Sequence, residues 1–199
     1  MKPVLLVIAG PNGAGKTTVT VSLRENQWSE NVEYLNPDEI AQRQFGDWNS
    51  PEAVIQAAQW TTNRREELLA RGEGIAFETV FSAPDKVLFL ARAQAAGYFV
   101  RLFFVGTSDP TINAARVARR VMEGGHSVPI EKIISRYAKS LANLAVALTF
   151  ADRVYIYDNS LEGQEARLCA RTRNGSLHRV YGDSPVWVQD ALRDLPSHA

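Results

Sequence analysis

The chain has 199 residues, which suits a single domain with a full hydrophobic core. Apolar residues make up 45% and charged residues 22%, which excludes a disordered or fibrous chain. Lys plus Arg and Asp plus Glu both total 22, so no global positive field favours nucleic acid or an anionic membrane as a partner. Cys169 is the only cysteine, which excludes an intrachain disulfide and a four-cysteine zinc site.

The chain opens with a short apolar run, Val4 to Ala9, which leads into a glycine-rich loop. This pattern predicts a buried strand rather than a signal peptide, which would end in a cleavage site. No later apolar run approaches the roughly 20 residues needed to span a bilayer. We therefore expect one cytoplasmic domain over residues 1–199, without a linker or an internal repeat.

Apolar runs alternate with longer amphipathic stretches, which is typical of parallel strands that helices cover on both faces. The pattern predicts an α/β three-layer sandwich with a mostly parallel central sheet. The predicted strands lie near Val4–Ala9, Val32–Leu35, Gly74–Phe77, Phe99–Val105 and Arg153–Tyr157.

Four helix starts carry a capping side chain with a proline at or near the first turn. They are Ser50-Pro51, Ser82-Ala83-Pro84-Asp85, Asp109-Pro110 and Ser184-Pro185. Residues Pro129 to Phe150 have the apolar spacing of a long helix. Asn174-Gly175 favours a tight turn, which predicts a C-terminal β-hairpin as an appendage after the main sheet.

The first strand runs into a P-loop motif, a glycine-rich loop that binds the phosphates of a nucleotide. Its glycines let backbone N–H groups converge on phosphate oxygens, and the next helix presents its positive end. Lys16 would reach the β and γ phosphates of ATP, and Thr17 would ligate Mg²⁺. A plain glycine turn explains the pattern less well, because a strand precedes it and Lys-Thr-Thr follows. The predicted cofactor-binding residues are Gly10, Pro11, Asn12, Gly13, Ala14, Gly15, Lys16, Thr17 and Thr18.

Asp38 follows the second predicted strand, in Asn36-Pro37-Asp38-Glu39. Ligands of such sheets bind at the carboxyl ends of the strands, so Asp38 could accept a proton from a substrate hydroxyl. A structural role is the alternative. Asn36 suits an N-cap, Pro37 suits the first helical position, and acidic residues there complement the helix dipole.

Glu78 and Thr79 follow another buried run and should reach the same edge of the sheet. Either could contact a substrate hydroxyl or hold Mg²⁺ indirectly. The alternative is that they only satisfy backbone donors at the end of the strand.

Three arginines, Arg116, Arg119 and Arg120, share one side of a predicted helix just before Gly124-Gly125. Such a segment could act as a lid, with arginines that neutralise charge on the transferring phosphoryl group. Arg136, on the following helix, is a second candidate for this role, and a solvated helix face is the alternative for each arginine. His126 is expected to shape a loop. The stretch Tyr157 to Ser160 could touch the purine or simply form a turn.

Together these motifs resemble the zeta-toxin family of P-loop kinases, in its short chromosomal form. The resemblance covers roughly residues 1–160 and adds to the P-loop the segments Asn36–Ala41, Phe77–Thr79, Arg116–Ile130, Arg136-Tyr137 and Tyr157–Ser160. It implies the fold of a P-loop NTPase and transfer of the γ-phosphate of ATP to the 3′-hydroxyl of UDP-N-acetylglucosamine. It also implies an antitoxin as a protein partner.

By the same resemblance, Lys16 is the phosphate lysine, Asp38 the base, and Arg120 and Arg136 the arginines that clamp the phosphates. Glu78 and Thr79 would contact the substrate together with Asp38, and Arg116 is assigned to the same side. Two rival functions stay open. One is a kinase of a nucleoside or another cofactor, and the other is a binding module gated by a nucleotide.

Overall fold

The structure is a computed structural model that describes residues 2–24, 31–45, 50–123 and 128–197. The strands are β1 (Val4–Ala9), β2 (Val32–Leu35), β3 (Gly74–Thr79), β4 (Phe99–Gly106), β5 (Arg153–Asp158), β6 (Arg167–Arg173) and β7 (Ser176–Val180). The helices are α1 (Lys16–Arg24), α2 (Pro37–Phe45), α3 (Pro51–Arg71), α4 (Pro84–Ala95), α5 (Pro110–Met122), α6 (Ile130–Leu148) and α7 (Val186–Leu192). All five strands predicted from the apolar runs are present, each within two residues of its predicted end.

The seven strands form one sheet in the order β2-β3-β1-β4-β5-β6-β7. The first five are parallel, and β6 and β7 are antiparallel to their neighbours. The predicted hairpin is confirmed, with Asn174 at φ 49° and Gly175 at φ 77°, as a tight hairpin turn requires. It is not a separate appendage, since β6 pairs with β5 and extends the main sheet.

Helices cover both faces of the sheet, which confirms the three-layer sandwich. The larger core joins alternate strand residues such as Leu5, Val7 and Leu102 to α3, α4, α6 and α7. The smaller core packs Leu6, Ile8 and other strand residues against α1. Successive buried residues of β1, β3, β4 and β5 enter different cores, so these central strands are buried on both faces, which explains their continuous apolar runs. Cys169 lies fully buried in the larger core.

A helix begins at each of the four predicted starts, but only two of the four capping side chains are confirmed. Ser50 and Asp109 are N-caps, and their side chains accept hydrogen bonds from Ala53 N and Thr111 N. Ser82 and Ser184 are not N-caps, because each lies one residue too early. The capping positions fall on Ala83 and Pro185, which make no side-chain cap.

The long helix α6 is confirmed, although it begins at Ile130 and ends at Leu148, inside the predicted limits. Within the described part of the chain, none of the helices combines the length and apolar character needed to cross a membrane.

Candidate nucleotide and phosphoryl-transfer site

The P-loop joins the end of β1 to the start of α1, as its motif predicts. Gly10, Gly13 and Gly15 have φ angles of 144°, 75° and 91°, which residues other than glycine rarely adopt. The space around them is also closed. A Cβ at Gly10 would lie 2.0 Å from the carbonyl oxygen of Val105, and one at Gly13 would lie 2.6 Å from that of Asn113. Glycine is therefore required here both by conformation and by the close approach of neighbouring backbone.

Asn113, in α5, is hydrogen-bonded to the P-loop, and the P-loop motif gives no sign of this contact. Its Nδ2 donates to the carbonyl oxygen of Asn12 at 2.6 Å. Its Oδ1 accepts a hydrogen bond from the hydroxyl of Thr107, and the carbonyl of Thr107 accepts one from Tyr137 Oη at 2.7 Å. Asn113 is fully buried. The network of hydrogen bonds around it joins the P-loop to α5, α6 and the end of β4.

Lys16 is the first residue of α1, and its ammonium group lies near the start of the P-loop. Its Nζ donates to the carbonyl oxygen of Pro11 at 3.1 Å. Burial lowers the pKa of Lys16 to about 8, the Glu78 carboxylate opposes that shift, and the Arg120 guanidinium adds to it. Lys16, Glu78 and Arg120 are therefore close enough in space to interact electrostatically.

Thr17 and Thr18 are exposed in the first turn of α1, next to the loop. Mg²⁺ at a nucleotide site takes few protein ligands and keeps several water and phosphate oxygens. The exposed hydroxyl of Thr17, at the mouth of the P-loop, fits that requirement.

Glu78 and Thr79 are the last two residues of β3 rather than residues beyond it. Glu78 Oε1 accepts hydrogen bonds from Thr20 Oγ1 at 2.5 Å and from Tyr34 Oη at 3.1 Å, so hydroxyl groups of α1 and β2 hold this carboxylate. Thr79 Oγ1 accepts from Phe81 N at 3.1 Å, the backbone role that the alternative interpretation described.

Asp38 lies in the first turn of α2, just beyond the carboxyl end of edge strand β2. Its backbone N–H donates to Asn36 Oδ1 at 2.9 Å. Asn36 therefore caps the helix, and the Asp38 carboxylate is not needed for that purpose. In the sheet, β3 separates β2 from β1, so the start of α2 and the P-loop are about two strand spacings apart, roughly 10 Å.

The predicted arginines divide into two groups. Arg136 Nη1 donates to Asn12 Oδ1 at 3.3 Å, and Arg120 is near enough to Lys16 to affect its pKa. Both arginines therefore lie close to the P-loop. Arg116 donates to the carbonyl oxygen of Asn159 at 2.8 Å, and Arg119 pairs with Glu162, so these two lie on the β5 side of the loop. The glycine pair of the predicted lid and His126 lie outside the described residues.

Asn159, directly after β5, also contacts the P-loop. Its Nδ2 donates to the carbonyl oxygen of Ala14 at 2.8 Å, and a Cβ at Gly15 would collide with the same amide group. Beside it is a cavity of about 530 Å³ between α5 and the segment after β5, lined by residues that include Ile112, Arg116 and Ser160. The stretch from Tyr157 to Ser160 thus forms a wall next to the loop.

Three solved structures resemble this chain in fold. The AvrRxo1-ORF1:AvrRxo1-ORF2 complex with sulphate ions matches with a TM-score of 0.63 at 15% identity, over 96% of this chain and 63% of that chain. Its form with ATP matches with a TM-score of 0.58 at 14% identity, over 90% and 60%. The PezAT chromosomal toxin-antitoxin system of Streptococcus pneumoniae matches with a TM-score of 0.57 at 17% identity, over 98% and 78%.

This chain therefore spans under two thirds of the matched chain in the AvrRxo1-ORF1:AvrRxo1-ORF2 complex. Among curated sequences, an uncharacterized protein of Haemophilus influenzae is 26% identical over 137 residues, which cover 69% of this chain and 94% of that protein. The profile of the zeta-toxin family matches residues 1–173, from before β1 to the end of β6. That match includes the P-loop, Asp38, Glu78 and all the arginines discussed above, and the chain belongs to the zeta-toxin family.

Proposed function

We propose that this protein is an ATP-dependent kinase that phosphorylates a hydroxyl group of a small metabolite. Membership of the zeta-toxin family and the fold of a P-loop kinase support kinase-type phosphotransfer. The observation that carries the proposal is the grouping of Lys16, Arg120 and Arg136 at the P-loop, with a carboxylate at Asp38 two strands away.

In this proposal the backbone N–H groups of the P-loop bind the β and γ phosphates of ATP. Lys16, Arg120 and Arg136 neutralise the charge that spreads over the transferring phosphoryl group. Thr17 would hold Mg²⁺, which would supply further neutralising charge at the phosphates. The Asp38 carboxylate takes the proton of the acceptor hydroxyl, whose oxygen bonds to the γ phosphorus while the bond to ADP breaks.

The cavity between α5 and the segment after β5 is suited to the nucleoside part of ATP. It lies beside Asn159, which contacts the P-loop, and it is lined by Arg116 and Ile112. In this arrangement Arg116 meets the nucleotide, rather than the acceptor to which the sequence assigned it.

UDP-N-acetylglucosamine, at its 3′-hydroxyl, is the first acceptor to test, since the family resemblance implies it. Glu78 and Thr79 end the strand between Asp38 and the P-loop, so they are the next candidates for acceptor contacts. We also propose a protein antitoxin as a partner, because PezAT is a toxin-antitoxin system. The proposed compartment is the cytoplasm, where ATP and such metabolites occur.

The decisive experiment measures transfer from γ-labelled ATP to UDP-N-acetylglucosamine, with Lys16→Ala in parallel. We expect transfer by the wild type and none by Lys16→Ala. Asp38→Asn should bind ATP as the wild type does and lose at least about a hundredfold in transfer rate, as general-base variants do. A wild-type protein that binds no ATP would contradict the proposal, whereas ATP binding without transfer would contradict only the acceptor.

A further inference from the structure

The last three strands of the sheet are rich in arginine. Strands β5, β6 and β7 contain no lysine and one carboxylate, Asp158, which accepts a hydrogen bond from Trp187 in the larger core. The carboxylate therefore belongs to the face of the sheet that packs on α7. The arginines of these strands are Arg153, Arg167, Arg171, Arg173 and Arg179.

Four of these arginines share the opposite face of the sheet, the one that carries α1. Arg153 of β5 is directly opposite Arg173 of β6. Arg171 of β6 is directly opposite Arg179 of β7 and, on its other side, opposite Tyr155, which belongs to the smaller core. Residues directly opposite each other, or two apart along one strand, lie on the same face of a sheet. We call this group of four arginines the arginine face.

The arginine face holds like charges together without counter-ions. Pairs of like charge directly opposite each other destabilise a sheet, and this face has two such pairs. Among the residues that the structure describes, none of the four arginines forms an ion pair with a carboxylate. Arg173 and Arg179 are exposed, and Arg153 and Arg171 are half-buried. An anionic ligand bound across the face would remove the repulsion.

The guanidinium groups of this face are held in place by aromatic rings. Those of Arg171 and Arg179 lie over the ring of Tyr181, at 5.5 and 5.0 Å from its centroid. Arg153 lies 5.9 Å from the ring centroid of Phe99. Stacking fixes the plane of a guanidinium and leaves N–H groups at its edge for paired hydrogen bonds to a carboxylate. The arginines are thus already oriented for an anion.

The distribution of charge favours a short acidic ligand over a nucleic acid. The four arginines carry four positive charges in a chain whose net charge is zero, so the rest of the chain is net negative by four. A nucleic acid would extend beyond the face and meet this negative surface, whereas a short ligand senses mainly charges within about 8–10 Å. The ring of Tyr181 is also covered by arginines rather than open to stacking bases.

From this geometry we infer that the arginine face binds an acidic, extended segment of a partner protein. Arg171 and Arg173 are two residues apart along β6, about 7 Å, which is also the distance between alternate side chains of an extended peptide. Alternate carboxylates of such a segment could therefore meet both arginines. The inference does not depend on the proposed kinase function, because β5, β6 and β7 form the face and the P-loop follows β1.

The test measures fluorescence anisotropy of a labelled peptide of about ten residues in which glutamate alternates with threonine, so that its carboxylates share one side. The wild type should bind it at low ionic strength and bind the counterpart with glutamine at least about tenfold more weakly. Arg171→Gln/Arg179→Gln should lower the affinity for the glutamate peptide by a similar factor. The matched control, Arg71→Gln/Arg92→Gln, removes the same charge from exposed positions of α3 and α4 and should change the affinity little.

No binding of the glutamate peptide to the wild type would overturn the inference, as would equal affinity of the wild type and Arg171→Gln/Arg179→Gln. Tighter binding of a single-stranded DNA of similar length would overturn the choice of a protein segment. The melting temperature checks the fold: this variant should melt at or above the wild-type temperature, since it loses a repulsive pair. A lower melting temperature with unchanged peptide affinity would limit the two arginines to packing on Tyr181.

Discussion

At the scale of single residues, Lys16 has the property that is easiest to test. Its pKa of about 8 reflects burial first, opposed by Glu78 and reinforced by Arg120. Phosphate groups of ATP next to the ammonium would favour its charged form and raise that pKa. The free protein would then hold fewer protons than the complex at pH values above about 8. Binding of ATP should therefore take up a proton in that range, and affinity should fall as pH rises.

We expect the Kd for MgATP to be nearly constant below pH 8 and to rise up to about tenfold per pH unit above it. Calorimetry at pH 7.5, 8.5 and 9.5, in buffers of different ionisation enthalpy, measures both the Kd and the proton uptake. Lys16→Arg keeps its charge throughout this range and should show neither effect. A wild-type Kd that is equal at pH 7.5 and 9.5 would argue against a phosphate contact by Lys16.

Asn113 allows a second prediction at this scale. Asn113→Asp keeps the shape and the acceptor for Thr107 but removes the donor to Asn12, so the P-loop loses a buried hydrogen bond. The variant also buries a carboxylate that faces the carbonyl oxygen of Asn12, so we expect the free energy of unfolding to fall by about 3–5 kcal/mol and ATP to bind more weakly. Chemical denaturation and an ATP titration measure the two effects. Asn63→Asp, at an exposed position of α3, should leave both near their wild-type values.

The P-loop was predictable because its function needs a fixed local pattern, in which glycines, Lys16 and Thr17 follow a strand. Asn113 was not, since its partner Asn12 lies 101 positions away and an asparagine in a helix carries no local signal. Asp38 is intermediate. Its place at the carboxyl edge followed from its position directly after a predicted strand. Its distance from the P-loop did not, because that distance depends on which strands lie between β2 and β1 in the sheet.

At the scale of secondary structure, helix α7 contacts the ends of β4 and β5 through Trp187. The indole ring packs on Gly106, and its Nε1 donates to Asp158 Oδ1 at 2.9 Å. The same carboxylate oxygen accepts from Ser160 Oγ at 2.6 Å. Because Asn159 lies between Asp158 and Ser160 and contacts the P-loop, α7 helps to position the wall beside the cavity between α5 and the segment after β5.

Trp187→Phe should keep most of the packing and remove the indole N–H from Asp158. We expect a loss of about 1–3 kcal/mol in the free energy of unfolding, and a Kd for ATP that rises severalfold because Asn159 is less well held. Thermal denaturation and ATP titration check the two effects. Trp60→Phe, on α3, is the control and should leave ATP affinity unchanged. An unchanged affinity in Trp187→Phe would limit α7 to a role in packing.

Apolar runs located the central strands well because β1, β3, β4 and β5 are buried on both faces. The capping residues were less predictable, since Ser82 and Ser184 are suitable residue types but each lies one position before the N-cap. The contact of α7 with β4 and β5 could not be predicted, because an apolar segment such as Val186 to Leu192 can pack on many surfaces.

At the scale of the whole molecule, the core extends beyond the segment that identifies the family. The family match ends at residue 173, yet Trp187, Val188 and Leu192 are buried in the larger core. Each such side chain contributes about 1.5–3 kcal/mol by burial, and a typical domain is stable by only about 5–15 kcal/mol. The single-domain prediction therefore has a direct test.

A chain that ends at Arg173 should lack a cooperative thermal transition, whereas the chain of 199 residues should unfold in one step. Circular dichroism and calorimetry of the two proteins make the comparison. A shortened protein that melts cooperatively near the full chain's temperature would show that β7 and α7 are dispensable for the fold.

The burial of Cys169 has a practical consequence for studying motion in this protein. Its thiol is fully buried, and burial raises its pKa, so the reactive thiolate is scarce and shielded from reagents. Since this is the only cysteine, a new cysteine placed on the surface would be the single site that fluorescent or spin labels reach in the native state. Distance probes on α2 and α6 could then follow ligand binding with the natural cysteine left in place.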